Sequence, residues 1–239
     1  MDRRYLLFIL LSILNLSLPA VSQRSNGNLT VYTSNKVPKV TPDSTQNEKN
    51  YTAPYFPLLG FKEYPGNPIL APNPASYWES AYLYNPAAIV IDDKVWLLYR
   101  AQNKSLISTI GVAWSTDGYN FTRYTKPVLY PTESFETHGT EDPRVVRVNG
   151  TFYMTYTGYD GTTARLAIAT STNLVDWTKH GPILPNCTDV NYRWDLPINA
   201  YAPRSGWSKS GAIIDEKING VYQMQWGVSH PYNNCLQPY

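Results

Sequence analysis

Cysteine, histidine and methionine are scarce in this chain of 239 residues, which has two Cys, three His and three Met. His138, His180 and His230 are scattered and show no metal-ligand spacing, so neither a metal nor any other cofactor is expected. Cys187 and Cys235 are an even pair; in an oxidising compartment they suggest one disulfide, with two free thiols as the alternative. Lys and Arg total 20 against 18 acids and form no cluster, which argues against nucleic acid as a partner. No nucleophile elbow and no phosphate-cradling loop is present. Past the first residues no apolar run approaches the ~20 residues of a membrane helix.

The N-terminus is the one apolar segment, "MDRRYLLFILLSILNLSLPAVSQ". Arg3 and Arg4 form a positive n-region, Tyr5 to Leu18 an apolar core, and Ala20-Val21-Ser22 a small-residue cleavage site. Residues 1–22 therefore read as a secretory signal peptide, with an uncleaved signal anchor as the alternative. Cleavage would leave no stable membrane span. Residues 23–54 are polar, without periodicity, and are expected to form a flexible leader or stem, leaving 55–239 as the folded domain. Six N-x-S/T sequons follow the signal, at Asn28, Asn50, Asn103, Asn120, Asn149 and Asn186. Together they predict a secreted or lumenal glycoprotein whose sequon asparagines are exposed.

Aromatics are abundant, with 20 Tyr and seven Trp. They favour strands, and exposed ones can stack on sugar rings, although a β-rich core alone would account for most of them. An internal repeat sets the architecture. "NPAAIVIDDKVWLLYRA" (85–101) matches "DPRVVRVNGTFYMTYTG" (142–158) at an offset of 57 without a gap. Asp92-Asp93 stands where Asn149-Gly150 stands, as a hairpin turn. Downstream, residues 111–131 match 166–185, and a third copy starts at "SKSGAIIDEKINGVYQMQWG" (208–227). Each repeat reads as about four strands with no helical pattern. That predicts an all-β fold of β-propeller type, with about three blades in this chain and a β-solenoid as the alternative.

In a propeller the innermost strands line a central channel, and the residues that begin them gather at one mouth. Asn85, Asp142 and the Lys209-Ser210 pair occupy that place in successive repeats. An amide, a carboxylate and an ammonium are thus expected to converge on one funnel. The competing expectation is that Glu141 and Asp142 merely cap a turn.

"EDPRVVRVNGTFYMTYTGYDG", followed by "ARLAIATSTNLVDWTKHGPILP", resembles glycoside hydrolase family 130, the β-mannoside phosphorylases and hydrolases. The resemblance covers about residues 60–230 and implies a five-bladed propeller with its sugar site in the central funnel. It implies inversion at the anomeric carbon, with Asp142 of the E-D-P-R motif as general acid acting through a sugar hydroxyl. By the same motifs Asn85, Glu141, Arg144 and Asp160 would bind an oligosaccharide substrate. Arg100 in "LLYRA" and Lys209 match cations that hold phosphate in phosphorylase members. The histidine of the Y-H-G segment is replaced here, in Gln225-Trp226-Gly227, so water is expected as the acceptor and hydrolysis as the activity. Phosphorolysis, a non-catalytic glycan-binding propeller, and the broader arabinanase/fructosidase-like group are the alternatives. Inverting hydrolysis needs a base as well as an acid, ~6.5–9.5 Å apart. Glu141, Asp160 and Asp195 are the candidates within the chain, and Asp160 in "GYDG" also suits a turn. Five blades of 57 residues would need about 285 residues, so the sequence reads as part of a longer protein.

Overall fold

The computed structural model describes residues 30–47, 62–183, 208–218 and 220–227. Along them run β1 (Tyr32–Ser34), β2 (Tyr82–Ile91), β3 (Lys94–Gln102), β4 (Ser108–Ser115) and β5 (Thr122–Tyr124). A 3-10 turn, Ser134–Glu136, precedes β6 (Gly139–Val148), β7 (Thr151–Tyr159), β8 (Ala164–Ser171) and β9 (Thr178–Pro182). The hairpin β10 (Lys209–Ile218) and β11 (Val221–Gly227) follows. β2 to β5 form one antiparallel meander and β6 to β9 a second, joined at a single parallel link, Ser108 to Gly139. The first strand of the second meander, β6, contacts β2 on one side and β10 on the other. This is the blade arrangement that the repeat predicts, with innermost strands side by side. No helix among the described residues is long and apolar enough to cross a membrane.

The repeat is legible in the backbone. Both hairpin turns use left-handed residues, Asp92 and Asp93 at φ 48° and 56°, Asn149 and Gly150 at 50° and 79°. Such turns match the twist of paired strands, and Asn, Asp and Gly adopt them at least cost. Cross-strand pairing is in the same register in both blades, Ile89 opposite Trp96 and Val146 opposite Tyr153.

Alternation along the strands builds the core. Trp96 and Leu98 of β3 point toward the second blade and pack with Phe152, Met154 and Tyr156 of β7. Val95, Leu97 and Tyr99 point the other way, onto Trp78 and Phe121. β3 therefore reads as an unbroken apolar run because both of its faces are covered. Both of these blades also carry a buried ionic clamp. Glu79 accepts from Tyr99 Oη (2.9 Å) and from Arg123 Nη1 (3.2 Å), all three residues about 1% exposed. In the next blade Glu136 takes the same place, with Tyr156 Oη at 3.1 Å and the Lys179 ammonium in direct contact. Both clamps sit just ahead of an innermost strand.

The leader is a correction. Residues 30–47, within the stretch expected to be flexible, lie ordered along the two blades. β1 adds in parallel to the outer strand β5, and Gln46 bridges Ile91. The Arg147 guanidinium donates to the carbonyls of Thr41, Pro42 and Ser44, and Thr45 N–H donates to Asp92 (2.8 Å). The partners that order this polar segment belong to the blades, so its own composition carried no sign of them. β1 also covers the outer edge of the first blade, where unpaired backbone groups would otherwise face solvent.

Candidate active site

The site grows from one irregularity repeated three times. Pairing slips by a bulge after Tyr84 in β2, after Glu141 in β6 and after Lys209 in β10. The residue that follows is left-handed each time, Asn85 at φ 43°, Asp142 at 51° and Ser210 at 59°. Bulges re-aim side chains, and non-glycine residues held at positive φ cluster at functional sites. Tyr84, Glu141 and Lys209 are thus equivalent positions, as are Asn85, Asp142 and Ser210. Pro86 and Pro143 follow two of the bulges, where a missing N–H does not break the ladder.

These positions meet. Asn85 Nδ2 donates to Asp142 Oδ1 at 2.7 Å across the two innermost strands. Arg100, opposite Tyr84 on β3, gathers the acids: Nη2 donates to Glu141 Oε1 at 2.7 Å and Nη1 to Asp142 Oδ1 at 3.2 Å. Its Nε donates to Ser108 Oγ (3.0 Å), which in turn donates to Glu141 (3.2 Å). The three charged side chains are only 13–18% exposed. Burial raises the Glu141 carboxyl above its usual range; Arg100 opposes this, neighbouring Asp142 adds to it, and Ser108 and Lys209 oppose it more weakly. Lys209 therefore lies within electrostatic reach of Glu141. Burial also lowers the Arg144 guanidinium, against the pull of Asp142; Arg144 donates to the Pro143 carbonyl at 2.9 Å.

Asn85, Arg100, Glu141, Asp142, Arg144 and Lys209 accordingly share one neighbourhood. Asp160 does not join them. Its Oδ1 accepts from Thr162 N–H (2.8 Å) and Thr163 N–H (2.7 Å) in the turn between β7 and β8. The backbone bond from Thr163 is the main cause of its lowered pKa, so the turn role that "GYDG" suggests is present here. Glu141 and Asp142 in turn do more than cap a turn. Asp195, His230, Cys187, Cys235, Asn28, Asn50 and Asn186 fall outside the described residues, and the disulfide with them. Of the other sequons, Asn120 and Asn149 are exposed and Asn103 is half-buried. Among the described residues no cluster of His, Cys, Asp and Glu could hold a metal ion.

The sequence reading missed Ser108, Tyr84 and Gln102. Tyr84 lies under the Arg100 guanidinium (5.1 Å to the ring centre) and its hydroxyl donates to Gln102 Oε1 at 2.8 Å. Gln102 Nε2 donates back to Ser108 Oγ at 3.1 Å. The arrangement offers two carboxyl groups on one arginine, a lysine close by, and amide and hydroxyl groups around them. It suits protonation of a leaving oxygen beside a binding place for a hydroxyl-rich or anionic ligand.

Comparison with known proteins agrees. The model of glycoside hydrolase family 130, described as beta-1,4-mannooligosaccharide phosphorylase, matches residues 61–235. A 1,2-beta-oligomannan phosphorylase of Thermoanaerobacter sp. (strain X514) is 34% identical over 177 residues, 70% of this chain and 53% of that protein. A beta-1,2-mannobiose phosphorylase of the same strain is 33% identical over 171 residues, 65% of this chain and 50% of that protein. The chain thus spans about half the length of the curated relatives it matches. Among solved structures, a glycosyl hydrolase from Bacteroides ovatus superposes with a TM-score of 0.61 at 34% identity, over 74% of this chain and 56% of that one. Another superposes with a TM-score of 0.59 at 33% identity, over 80% and 60%. It is described as "The GH130 family of mannoside phosphorylases contains glycoside hydrolases that target beta-1,2 mannosidic linkages in Candida mannan". The fold is all-β and of the propeller type.

Proposed function

The chain belongs to glycoside hydrolase family 130, and from that membership we propose that the protein cleaves β-linked mannosides by phosphorolysis with inversion, Asp142 acting as general acid. The observation that carries the reading is Asp142 itself. It is held left-handed at the bulge of an innermost strand, bonded to Asn85 and Arg100. A phosphate oxygen would attack the anomeric carbon as the glycosidic C–O bond breaks. The proton from Asp142 would pass to the leaving oxygen, through a sugar hydroxyl as the family resemblance implies. Phosphate brings its own negative oxygen to the attack, so no second carboxylate is needed as base. It does need cations, and Arg100 and Lys209 supply them. The two curated relatives described above carry phosphorylase names, which favours this reading over the hydrolysis expected from the sequence.

Hydrolysis stands second, on one observation: the segment where the family resemblance implies a histidine in phosphorylases reads Gln225-Trp226-Gly227 here. Water would then replace phosphate and require a base. Among the described residues Glu141 is the carboxylate that shares Arg100 with Asp142. The proposed setting is the secretory pathway, on the strength of the signal-like residues 1–22 and the exposed sequons Asn120 and Asn149.

One experiment tests these points together. The full-length protein is expressed in a eukaryotic host, recovered from the medium, and checked for a mass shift on N-glycan removal. It is then given β-1,2- and β-1,4-mannobiose with and without inorganic phosphate. The expected result is phosphate-dependent release of mannose 1-phosphate, reduced ~10²–10⁴-fold in Asp142→Asn. Free mannose without phosphate would establish hydrolysis instead, and no cleavage of either sugar would leave only a glycan-binding propeller. Retention inside the cell without glycans would overturn the secretory placement.

A further inference from the structure

Two aromatic rings beside the acid pair have no part in the chemistry above. Tyr82 and Tyr84, two apart on β2, project from the same face of the strand. Their ring centres are 5.8 Å apart and their planes 17° from parallel. Both are exposed, at 48% and 36%. At the inner end of the row Tyr84 is pinned by its hydroxyl bond to Gln102 and by Arg100 against its ring. The row runs from Arg100, which holds Asp142 and Glu141, through Tyr84 to Tyr82, with Gln102 opposite Tyr82 on β3.

We propose that Tyr82, backed by Tyr84, offers its outer ring face as a sugar-stacking platform that binds a further β-linked mannosyl unit of the substrate, beyond the bond cleaved next to Asp142. The proposal rests on the mannoside chemistry of the preceding section and adds a preference for chain length. The fit follows from the sugar. A β-mannosyl ring carries the axial hydrogens of C1, C3 and C5 on one face, which is therefore apolar. An α-linkage places its axial oxygen on that same face and interrupts it. A flat aromatic surface consequently takes the β-linked ring and disfavours the α-linked one. Rigid rings lose little freedom on binding, which favours a preformed surface over a mobile one.

The test uses the full-length protein and two independent readouts. The first is the affinity of the Asp142→Asn background for β-1,2-mannotriose by titration calorimetry, with and without Tyr82→Thr, a substitution that keeps a strand-forming residue. The second is kcat/KM of the otherwise wild-type enzyme on mannobiose and mannotriose. Tyr82→Thr is expected to weaken mannotriose binding about tenfold, equivalent to about 1.4 kcal/mol. It should lower kcat/KM for the trisaccharide well more than for the disaccharide. Tyr82→Phe, which keeps the ring, should restore both and also guards against a folding defect. Loss of mannotriose affinity in Tyr82→Thr, in a protein that cleaves no mannoside, would support the platform while sinking the enzymatic reading. Cleavage of mannosides with affinity and chain-length preference unchanged in Tyr82→Thr would overturn the platform and leave the enzyme intact. Equal affinity for α- and β-linked trisaccharides would also overturn it.

Discussion

Replacing Arg100 by Met removes the guanidinium that bridges Glu141 and Asp142 and keeps most of its packing volume. Each carboxylate then loses a charge-assisted bond, at 2.7 and 3.2 Å, in a place where all three groups are less than one-fifth exposed. Breaking a buried ion pair by removing one partner costs about 3–5 kcal/mol at neutral pH. The cost depends on pH with a definite sign. Burial already raises the Glu141 carboxyl, with Arg100 opposing. A carboxyl whose folded pKa lies above the unfolded one, about 4.3, keeps a proton that the unfolded chain has lost. Its protein therefore loses stability as pH rises from the unfolded value through the folded one. Without Arg100 that loss deepens, so the gap between wild type and variant should be small near pH 4 and widest at neutral pH. Urea unfolding of the full-length proteins at pH 4, 6 and 7.5 measures it. At pH 7.5 the variant's midpoint should fall on the order of 1 M or more. A shift of the same size at every pH would mean that Arg100 acts through packing, and would refute the electrostatic account of the site.

What the sequence revealed of this site came from the repeat. Asn85 and Asp142 could be paired because an offset of 57 holds across the whole inner hairpin, and in a propeller equal positions meet. The chemistry at each was then read from residue type. Ser108 could not be found that way. Its counterpart at the start of β8 is Ala164, so the repeat breaks where the Arg100 network begins. The ionic clamps did have a signal: Trp78-Glu79-Ser80 and Phe135-Glu136-Thr137 stand at the same offset of 57, with Tyr99 and Tyr156 matching downstream. That signal lies ahead of the strands that carry the clearest repeat, and the tyrosines alone look like ordinary core. Asp160 went the other way. A carboxylate in a short polar turn has two roles open to it, and the Thr162 and Thr163 N–H groups, which any residues but proline would provide, fill the turn role. The strap of residues 30–47 left no pattern at all, since its hydrogen bonds end on Arg147, Asp92 and Asp93 more than 40 residues away.

Glu79→Gln, which keeps shape but removes the charge facing a fully buried Arg123, should cost about 3–5 kcal/mol in urea unfolding. Pairing Glu79→Leu with Arg123→Met should recover most of it; a Gln variant within about 0.5 kcal/mol of wild type would mean that the clamp adds nothing. Gly150→Ala separates backbone strain from the strap's contact. Its φ of +79° alone penalises any side chain, and a Cβ there would also stand 2.9 Å from Pro42 Cβ and 3.0 Å from the Pro42 carbonyl oxygen. Gly181, at φ +84° with nothing within 4 Å of the same Cβ, carries the strain without the clash. Gly181→Ala should therefore lose about 1–2 kcal/mol. Gly150→Ala should lose more, and amide exchange should speed up over residues 41–46 alone, because the strap must lift from the hairpin to make room. Equal losses in the two variants, with exchange in the strap unchanged, would show that residues 41–46 yield at no cost and that Arg147 does not fix them in place.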